Sequence, residues 1–494
     1  MMSVRLSAAA LGRLPKGVAA PGYDRADLSP GIVHFGVGNF HRAHQAVYLD
    51  DLFASGRDHD WAIVGAGVRE YDIDMRAKLA AQDYLTTVVE QEAQATKVRV
   101  TGPMIDFVKP FDVAAMLETL SRPAIRIVSL TVTEGGYCID PATQTFDPHH
   151  PEIAYDVAHF DAPRSAFGLI AAGLKRRRAA GVAPFTVMSC DNIPGNGHVC
   201  ENAVAGLAEL VDRELAAWIR AKVAFPNSMV DRITPATTDR ERAILKDQYG
   251  VEDNFPVFCE EFRQWVVEDK FPAGRPALET VGATFVADVA PYELMKIRIL
   301  NGGHAAIANP AGLLDIHFVH EALEDKQIAT FLETLTKREI LSVVPPPPGV
   351  SLEAYRLKVA ERFANPKIGD TIARLCLDGF NRQPKFILPT ARARLDGGQG
   401  VTGLALVSAM WCRYVYGESE SGRAIAPNDD NWERLQAHAQ RAKDKPEAYL
   451  EMSDIFGDLA SDPTYVAAFS EALQSLWAKG VRATLDDYLN GGQA

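Results

Sequence analysis

The spacing of hydrophobic positions changes along the chain. Over roughly the first 285 residues, short continuous apolar runs occur at residues 31–38, 61–65, 98–100, 125–132 and 185–189. Between them lie segments with apolar positions three and four apart, including residues 41–53, 113–121 and 166–180. Short apolar strands that alternate with helices are typical of a parallel sheet covered on both faces. The pattern predicts an α/β fold, with an enlarged, Rossmann-type doubly wound domain over residues 1–285.

The helical period dominates beyond this region, at residues 292–308, 321–339 and 352–364. Four prolines at residues 345–348 interrupt it, because proline cannot continue a helix, and Ser351 follows where an N-cap is needed. We therefore expect residues 286–494 to form a mostly α-helical domain. Residues 1–30 are small, polar and punctuated by proline and glycine, which predicts an irregular, solvated arm.

Charge and composition exclude several classes of partner. The net charge of -13 disfavours nucleic acid, because a carboxylate-rich surface repels phosphate backbones. No apolar run approaches the roughly 20 residues that span a bilayer, so no membrane partner is expected. The six cysteines form no CxxC pair and predict neither a disulfide framework nor a metal site. A reduced, cytoplasmic setting fits this cysteine usage. The helical region has no coiled-coil heptads, and this pattern says little about the oligomeric state.

A glycine-rich turn follows the first predicted strand and opens a helix. It comprises Gly36, Val37, Gly38, Asn39, Phe40 and His41. Glycines at this position permit a tight turn and let backbone amides approach a pyrophosphate. The third glycine of the usual fingerprint is replaced by His41, and a lone glycine pair is also typical of an ordinary turn. Because it lies within a βαβ pattern, we predict that this segment binds the cofactor NAD.

The second predicted strand is followed by candidate groups for the adenosine ribose. Asp72 is our choice for the ribose 2′-hydroxyl, which favours NAD because a carboxylate repels a 2′-phosphate. Arg69 favours the opposite preference, since a guanidinium there would accept that phosphate. The spacing from Gly36 exceeds the usual ~20 residues, so this βαβ unit must be enlarged.

A group of chemically capable residues lies in the first predicted helix of the second domain. At roughly 100° per residue, His304 falls about 80° and Asn301 about 140° from Lys296, while Glu293 falls about 60° from it. An unbroken helix would therefore present all four on one side. From spacing alone, this pattern is equally typical of a surface lysine followed by polar residues that cap a helix.

These residue types suit the oxidation of an alcohol. A lysine accepts the hydroxyl proton without a metal if burial and nearby positive charge make it a neutral amine, as we expect for Lys296. The Asn301 amide would donate to the developing alkoxide, His304 would bind a neighbouring hydroxyl, and Glu293 would relay the proton to solvent.

Two residues of the first domain extend this set. Asn192 follows an apolar strand and should project at the carboxyl edge of the sheet, where ligands bind in such folds. Asp231 lies in an apolar stretch, next to Arg232, and an ion pair or turn between these two is the alternative interpretation.

Five stretches together resemble the long-chain polyol dehydrogenases, the mannitol dehydrogenase family, and most closely its mannitol 2-dehydrogenase branch. They are GVGNFHRAH at residues 36–44, TEGGY at 133–137, SCDN at 189–192, FPNSMVDRITP at 225–235 and KIRILNGGH at 296–304. The resemblance covers nearly the whole chain, and the KxxxxNxxH run is its most specific part.

The resemblance implies a zinc-free, NAD-dependent dehydrogenase for secondary alcohols. Lys296 would be the general base, and Asn192 and Asn301 would hold the reacting oxygen. Asp231, His304 and Arg374 would bind the other hydroxyls. Family members interconvert D-mannitol and D-fructose, with D-arabinitol and D-sorbitol as common alternatives. The resemblance also implies a monomer, because the family tends to be monomeric.

Two positions differ from the family pattern, and three alternatives stay open. Tyr71 replaces one carboxylate of the acidic pair expected beside Asp72, which weakens the exclusion of NADP. Arg382, a further candidate substrate ligand, stands where a lysine is expected.

Because Arg374, Arg382 and Lys385 would suit an anion, a hexuronate reductase or mannitol-1-phosphate 5-dehydrogenase remains an alternative. A non-catalytic dinucleotide-binding sensor is the remote third.

Overall fold

The computed structural model describes residues 3–139 and 145–491. The chain divides by its internal contacts into a first unit over Met1–Ala290 and a second over Pro291–Ala494. The predicted boundary between residues 285 and 286 lies a few residues earlier and stays a prediction.

The described part of the first unit contains short strands alternating with helices. Its strands are β1 (Val4–Arg5), β2 (Val18–Ala19), β3 (Pro30–Phe35), β4 (Ala62–Ala66), β5 (Thr86–Gln91), β6 (Thr96–Thr101), β7 (Met104–Phe107), β8 (Ile127–Leu130), β9 (Thr186–Ser189), β10 (Ser228–Asp231), β11 (Val251–Glu252), β12 (Val257–Glu260), β13 (Gln264–Glu268) and β14 (Thr284–Val286). Its helices are α1 (Asn39–Ala43), α2 (Gln45–Ala54), α3 (Tyr71–Ala80), α4 (Val113–Ser121), α5 (Pro151–Ala158), α6 (Ala166–Ala179), α7 (Asn196–Val211), α8 (Arg213–Lys222) and α9 (Asp239–Tyr249).

A five-stranded parallel sheet forms the centre of this unit, in the order β7-β4-β3-β8-β9. Successive residues of a strand face opposite sides, so Val33 packs under α4, α6 and α7 while Ile32 packs under α2 and α3. The predicted doubly wound sheet is confirmed. The strand order reverses between β3 and β8, the switch point beside which such sheets bind ligands.

Three local predictions were wrong. Residues 98–100 belong to β6, which pairs antiparallel with β5 in a separate four-stranded sheet rather than in the parallel one. The predicted N-terminal arm is not simply solvated, because β1 pairs with β11 and β2 with β6. The helix predicted over residues 41–53 breaks at His44, whose φ of -119° and ψ of -85° separate α1 from α2.

The last turn of α6 carries a run of basic residues, and one of them, Arg177, is buried. Its guanidinium donates to the carbonyls of Leu120, Arg122, Ile125 and Ala183, at 2.7–3.0 Å. This arginine therefore donates hydrogen bonds to carbonyl groups near the end of α4 and in the segments that follow α4 and α6.

The second unit is helical over its described residues, as predicted. Its α-helices are α10 (Ala290–Met295), α11 (Gly302–Leu313), α12 (Val319–Glu324), α13 (Lys326–Leu335), α14 (Leu352–Phe363), α15 (Ile372–Leu375), α16 (Gly379–Arg382), α17 (Leu388–Asp396), α18 (Thr402–Val415), α19 (Trp432–Ala442), α20 (Ser453–Phe456) and α21 (Pro463–Asn490). Three π-helical segments, Lys296–Asn301, Thr336–Ile340 and Gln383–Ile387, join some of them. None of the described helices is long and apolar enough to cross a membrane.

The helices of this unit share one apolar core, to which the almost wholly buried α11 and α18 contribute most of their residues. The predicted N-cap is present, because the Ser351 hydroxyl accepts a hydrogen bond from the Ala354 amide at 3.2 Å. The helix predicted over residues 321–339 is divided at Asp325, whose side chain caps α13. The core therefore fixes α11, the helix that carries His304.

Candidate active site

The turn after β3 needs glycine at its first position. Gly36 has φ of +90°, and a Cβ there would lie 2.1 Å from the carbonyl oxygen of Thr131, so no side chain fits. The Gly38 amide donates to the Gly36 carbonyl at 2.7 Å, and Gly38 precedes the first residue of α1. Asn39 anchors this helix start through the Pro235 carbonyl and the Thr237 hydroxyl. This is the geometry expected for a backbone that approaches a pyrophosphate closely.

His41 occupies the position of the missing third glycine. Its ring stacks on His34 of β3, with centroids 3.5 Å and planes 16° apart, and both rings are buried. Burial holds the pKa of both imidazoles far below the ordinary value, so the stacked pair is neutral. Val37 is fully buried, and Phe40 stacks on the ring of His44. An aromatic stack thus replaces the close helix–strand contact that a glycine would allow.

Asp72 lies on the first turn of α3, just beyond the loop that follows β4. It is 2 % exposed, and its Oδ2 accepts a hydrogen bond from the Arg69 amide at 2.8 Å. Its Oδ1 is buried with no hydrogen-bond partner among the described residues. Burial raises the pKa of this carboxyl, against the effect of the backbone amides of Arg69 and Val68. One oxygen therefore closes the loop and the other remains available to a donor.

A cavity of about 440 Å³ opens beside this loop. Its lining includes Gly67 and Val68 after β4, Phe111 after β7, and Tyr155 and Arg164 from the segment that contains α5. The Arg164 guanidinium lies 3.9 Å from the centroid of the Tyr155 ring. Planar apolar and cationic groups around a space of this size suit a heteroaromatic ring.

The candidate ligands Asn192 and Asp231 both lie near the carboxyl ends of strands of the first unit. Asn192 is exposed beyond the carboxyl end of β9, as predicted from its position, while Asp231 ends β10 and is 5 % exposed. The Arg232 guanidinium, which the alternative interpretation pairs with Asp231, makes an ion pair with Glu90 at 2.6 Å.

Asp191, immediately before Asn192, holds the neighbouring loop in place. Its carboxylate accepts from the amides of Val132 and Thr133, at 3.0 and 2.9 Å, and from the Tyr137 hydroxyl at 2.7 Å. Thr133 has φ of +65°, a conformation that costs free energy for a residue with a Cβ. Asp191 therefore stabilises a strained loop at the carboxyl ends of β8 and β9, and sequence inspection gave it no role.

The helix that carries Lys296 is not a continuous α-helix, which corrects the predicted angles. Residues Lys296–Asn301 form a π turn between α10 and α11. A π turn closes hydrogen bonds between residues five apart, so Asn301 comes one turn above Lys296 rather than ~140° away. His304 follows three residues later in α11 and is a surface neighbour of Asn301. Lys296, Asn301 and His304 therefore follow one another along one face. A π turn produces this arrangement, instead of the continuous α-helix that was predicted.

Unsatisfied polar atoms mark this face. Lys296 is 7 % exposed and His304 9 %. Asn301 Oδ1 and His304 Nε2 are buried and have no hydrogen-bond partner among the described residues. Burial, followed by the charges of Arg374, Arg362 and Arg382, holds the pKa of His304 well below its ordinary value. Buried polar atoms without partners are costly, and a hydroxylated ligand would satisfy both.

Phe363 sets the orientation of His304 and was not identified from the sequence. The two rings stack with centroids 3.9 Å and planes 11° apart. Phe363 ends α14, separated from His304 by a long stretch of chain, and its apolar character is also what an ordinary core position shows. No local sequence signal distinguishes it.

The candidate arginines are partly engaged with other groups. Arg374 makes a bidentate pair with Asp370, four residues earlier, and Arg382 donates to the Leu375 carbonyl at 2.7 Å. Burial lowers the pKa of Arg382, as does the charge of Arg374. Glu293 is half-buried on α10, one turn before Lys296. Among the described residues, no three His, Cys, Asp or Glu side chains converge as a metal-binding set.

Comparison with known proteins gives matches over both units. Residues 30–280 match the family model of the mannitol dehydrogenase Rossmann domain, and residues 288–477 match that of the mannitol dehydrogenase C-terminal domain. The mannitol 2-dehydrogenase of Cereibacter sphaeroides is 56% identical over 477 residues, covering 96% of this chain and 100% of the relative. That of Phaeosphaeria nodorum is 39% identical, covering 98% and 86%.

Two solved structures are similar over nearly the whole chain. The Pseudomonas fluorescens mannitol 2-dehydrogenase, in a ternary complex with NAD and D-mannitol, has a TM-score of 0.88 and 42% identity, covering 99% of this chain and 100% of the other. A D-sorbitol dehydrogenase in substrate-free form has a TM-score of 0.90 and 34% identity, covering 98% and 100%.

Proposed function

The chain belongs to the mannitol dehydrogenase family, and on this basis we propose that it oxidises D-mannitol to D-fructose with NAD. Relatives at 56% and 42% identity are mannitol 2-dehydrogenases, one of them solved with NAD and D-mannitol. The likeness to a D-sorbitol dehydrogenase makes D-sorbitol a second substrate to test, together with D-arabinitol. NAD-dependent polyol oxidation is the reaction class, and the preferred polyol is the part that needs measurement.

The first unit fits the cofactor. Gly36 and Gly38, with Val37, Asn39, Phe40 and His41 around them, would hold the pyrophosphate against the backbone of the turn. The Asp72 Oδ1, which has no partner in the residues that the structure describes, would accept a hydrogen bond from the ribose 2′-hydroxyl. The cavity beside it would take the adenine ring. When bound, NAD supplies the hydride acceptor.

The proposed groups for the alcohol come mostly from the second unit, with Asn192 and Asp231 from the first. Lys296 would take the hydroxyl proton, and the half-buried Glu293, one turn away, would pass it to solvent. The side-chain amides of Asn301 and Asn192 would donate to the oxygen as negative charge develops on it. The single observation that carries the assignment of a hydroxylated ligand to this segment is that Asn301 Oδ1 and His304 Nε2, which follow Lys296 in the chain, are buried and have no partner among the described residues.

The remaining hydroxyls of the polyol would contact His304, Asp231, Arg374 and Arg382. A neutral imidazole both donates and accepts a hydrogen bond, which suits a hydroxyl. The hexuronate and sugar phosphate alternatives rest on the arginines near His304. Arg374 already donates to both carboxylate oxygens of Asp370. This contact reduces the capacity of Arg374 to bind a second carboxylate, and so favours the uncharged polyol as the substrate.

Initial-rate assays test this function. Formation of NADH from NAD, or of NADPH from NADP, is followed with D-mannitol, D-sorbitol and D-arabinitol, with and without a chelator. We expect the highest kcat/KM with D-mannitol and NAD, and no effect of the chelator. Turnover confined to hexuronates or sugar phosphates would establish the alternative substrate. NADH binding without turnover of any polyol or ketose would indicate a sensor, and chelator sensitivity would contradict metal independence.

We also propose that the protein acts as a cytoplasmic monomer. Its six cysteines are free and buried, which suits a reducing compartment. Light scattering coupled to size exclusion tests the oligomeric state, with a mass near 53.9 kDa as the expected result.

A further inference from the structure

Arg69, in the loop after β4, is held by an acidic residue far away in the chain. One arm of its guanidinium makes an ion pair and hydrogen bond with Glu152, 83 residues later. This contact is the largest influence on the Arg69 guanidinium, whose pKa it raises. An arginine in this loop is the group that accepts the 2′-phosphate of NADP in dinucleotide-binding folds. The ion pair therefore occupies the side chain on which NADP binding would depend.

Asp72 contributes less repulsion than its position in the sequence suggested. Burial raises the pKa of its carboxyl, and one oxygen is committed to the Arg69 amide. Tyr71, which replaces the second carboxylate of the family pattern, is 63% exposed and uncharged. Glu152 is the acidic group that contacts the Arg69 guanidinium itself, where a carboxylate would disfavour a phosphate.

Glu152 is fixed by its own helix. It stands in the first turn of α5, where a carboxylate is stabilised by the helix dipole. Pro151 begins this helix, and the His150 ring accepts a hydrogen bond from the Glu152 amide at 3.3 Å. The same helix carries Tyr155, which lines the cavity next to the loop. A rigid element therefore presents the carboxylate to Arg69.

We propose that Glu152 determines the preference for NAD over NADP, by pairing with Arg69 and so denying a 2′-phosphate its guanidinium. The inference rests on the proposed NAD-dependent function. Both side chains of the pair are about a third or more exposed, at 43% and 34%, so salt weakens it and its effect on selectivity is moderate.

The experiment compares the wild type with Glu152→Gln, Arg69→Ala and the double variant Glu152→Gln/Arg69→Ala. Each is assayed for kcat/KM with NAD and with NADP, using D-mannitol. Binding of adenosine 2′,5′-bisphosphate is measured by calorimetry, because this probe reports on the 2′-phosphate without catalysis. Glu209→Gln is the matched control, since it removes the acid of another half-exposed Arg–Glu pair in the same unit, Glu209 with Arg220.

We expect Glu152→Gln to raise kcat/KM with NADP and affinity for the bisphosphate by about tenfold, the scale of one charge-assisted hydrogen bond. Its kcat/KM with NAD should change less than about twofold. The gain should vanish in the double variant and be absent in Glu209→Gln. An unchanged NADP preference in Glu152→Gln, or a gain that persists without Arg69, would overturn the proposal.

Failure of the proposed function would look different. A wild type that turns over no polyol with either dinucleotide would refute that function, while bisphosphate binding would still report on Glu152 and Arg69. Equal bisphosphate affinity in the wild type and Glu152→Gln would refute the inference even in a fully active enzyme.

Discussion

The imidazole of His304 lies flat on the ring of Phe363, with centroids 3.9 Å and planes 11° apart. The stack fixes the plane of the imidazole, whose Nε2 is buried and has no partner within the described part of the chain. The orientation of a proposed substrate ligand on α11 thus depends on a residue at the end of α14.

Phe363→Leu should therefore weaken polyol binding more than catalysis. Loss of the stack frees the imidazole to rotate, so KM for D-mannitol should rise about threefold to tenfold while kcat falls less, the scale of one aromatic contact. KM for NAD should not change. Phe318→Leu, a half-buried aromatic of the same unit, is the control. Equal KM values for the polyol in Phe363→Leu and wild type would show that the stack does not position His304.

Lys296→Ala should abolish turnover while the fold and NAD binding persist. Removal of a general base typically costs 10²- to 10⁴-fold in rate, and we expect a kcat loss of about 10³-fold or more. Stopped-flow measurement of NADH formation reports on the chemical step. NAD affinity and circular dichroism verify that the variant binds the cofactor and is folded. Lys326→Ala removes an exposed lysine of α13 as the control. Retention of wild-type turnover would exclude Lys296 as the base.

Gly36→Ala should impair cofactor binding. The added methyl would meet the Thr131 carbonyl at 2.1 Å, at a φ of +90° that strains any other residue. The turn must shift, and we expect the Kd for NAD to rise by at least about tenfold. Gly12→Ala is the matched control, because no atom lies within 4 Å of its added Cβ. Isothermal calorimetry with NAD compares the two, and equal affinities would show that the turn does not contact the cofactor.

Acid should destabilise the first unit through its buried histidines. Burial lowers the pKa of His44 to about 3, so the folded state keeps this ring neutral while the unfolded chain binds a proton below pH ~6.5. The stabilisation is present above pH ~6.5 and is lost as the pH falls. At pH 5.0 this costs about 2 kcal/mol for one histidine.

His44→Gln should reduce the loss of unfolding free energy between pH 7.5 and 5.0 by about that amount. The glutamine amide can still donate to the Gln264 carbonyl, which His44 Nε2 contacts at 2.8 Å. Urea unfolding at the two pH values measures the difference, with the exposed His149→Gln as control. The same pH dependence in His44→Gln and wild type would show that this ring is not responsible.

Local patterns in the sequence determined much of this protein. Apolar runs and the 3.6-residue period were enough for the parallel sheet, for α4 at residues 113–121 and for the N-cap at Ser351, because each depends on neighbours within a turn or strand. The turn at Gly36 was recognisable for the same reason, since its backbone conformation excludes side chains. Lys296, Asn301 and His304 were found by spacing and by family resemblance.

Only the tertiary structure decided the rest. Asn301 lies one turn after Lys296 because the backbone forms a π turn there, which the residue pattern does not predict. His41 takes the position of the third glycine of the usual fingerprint, where its ring stacks on that of His34 in β3. The buried Arg177 donates to the carbonyl of Arg122, far from it in the chain. Arg69 forms an ion pair with Glu152, 83 residues later. Each of these contacts depends on which residue, distant in the chain, packs beside the side chain. The local periodicity of the sequence does not specify that residue.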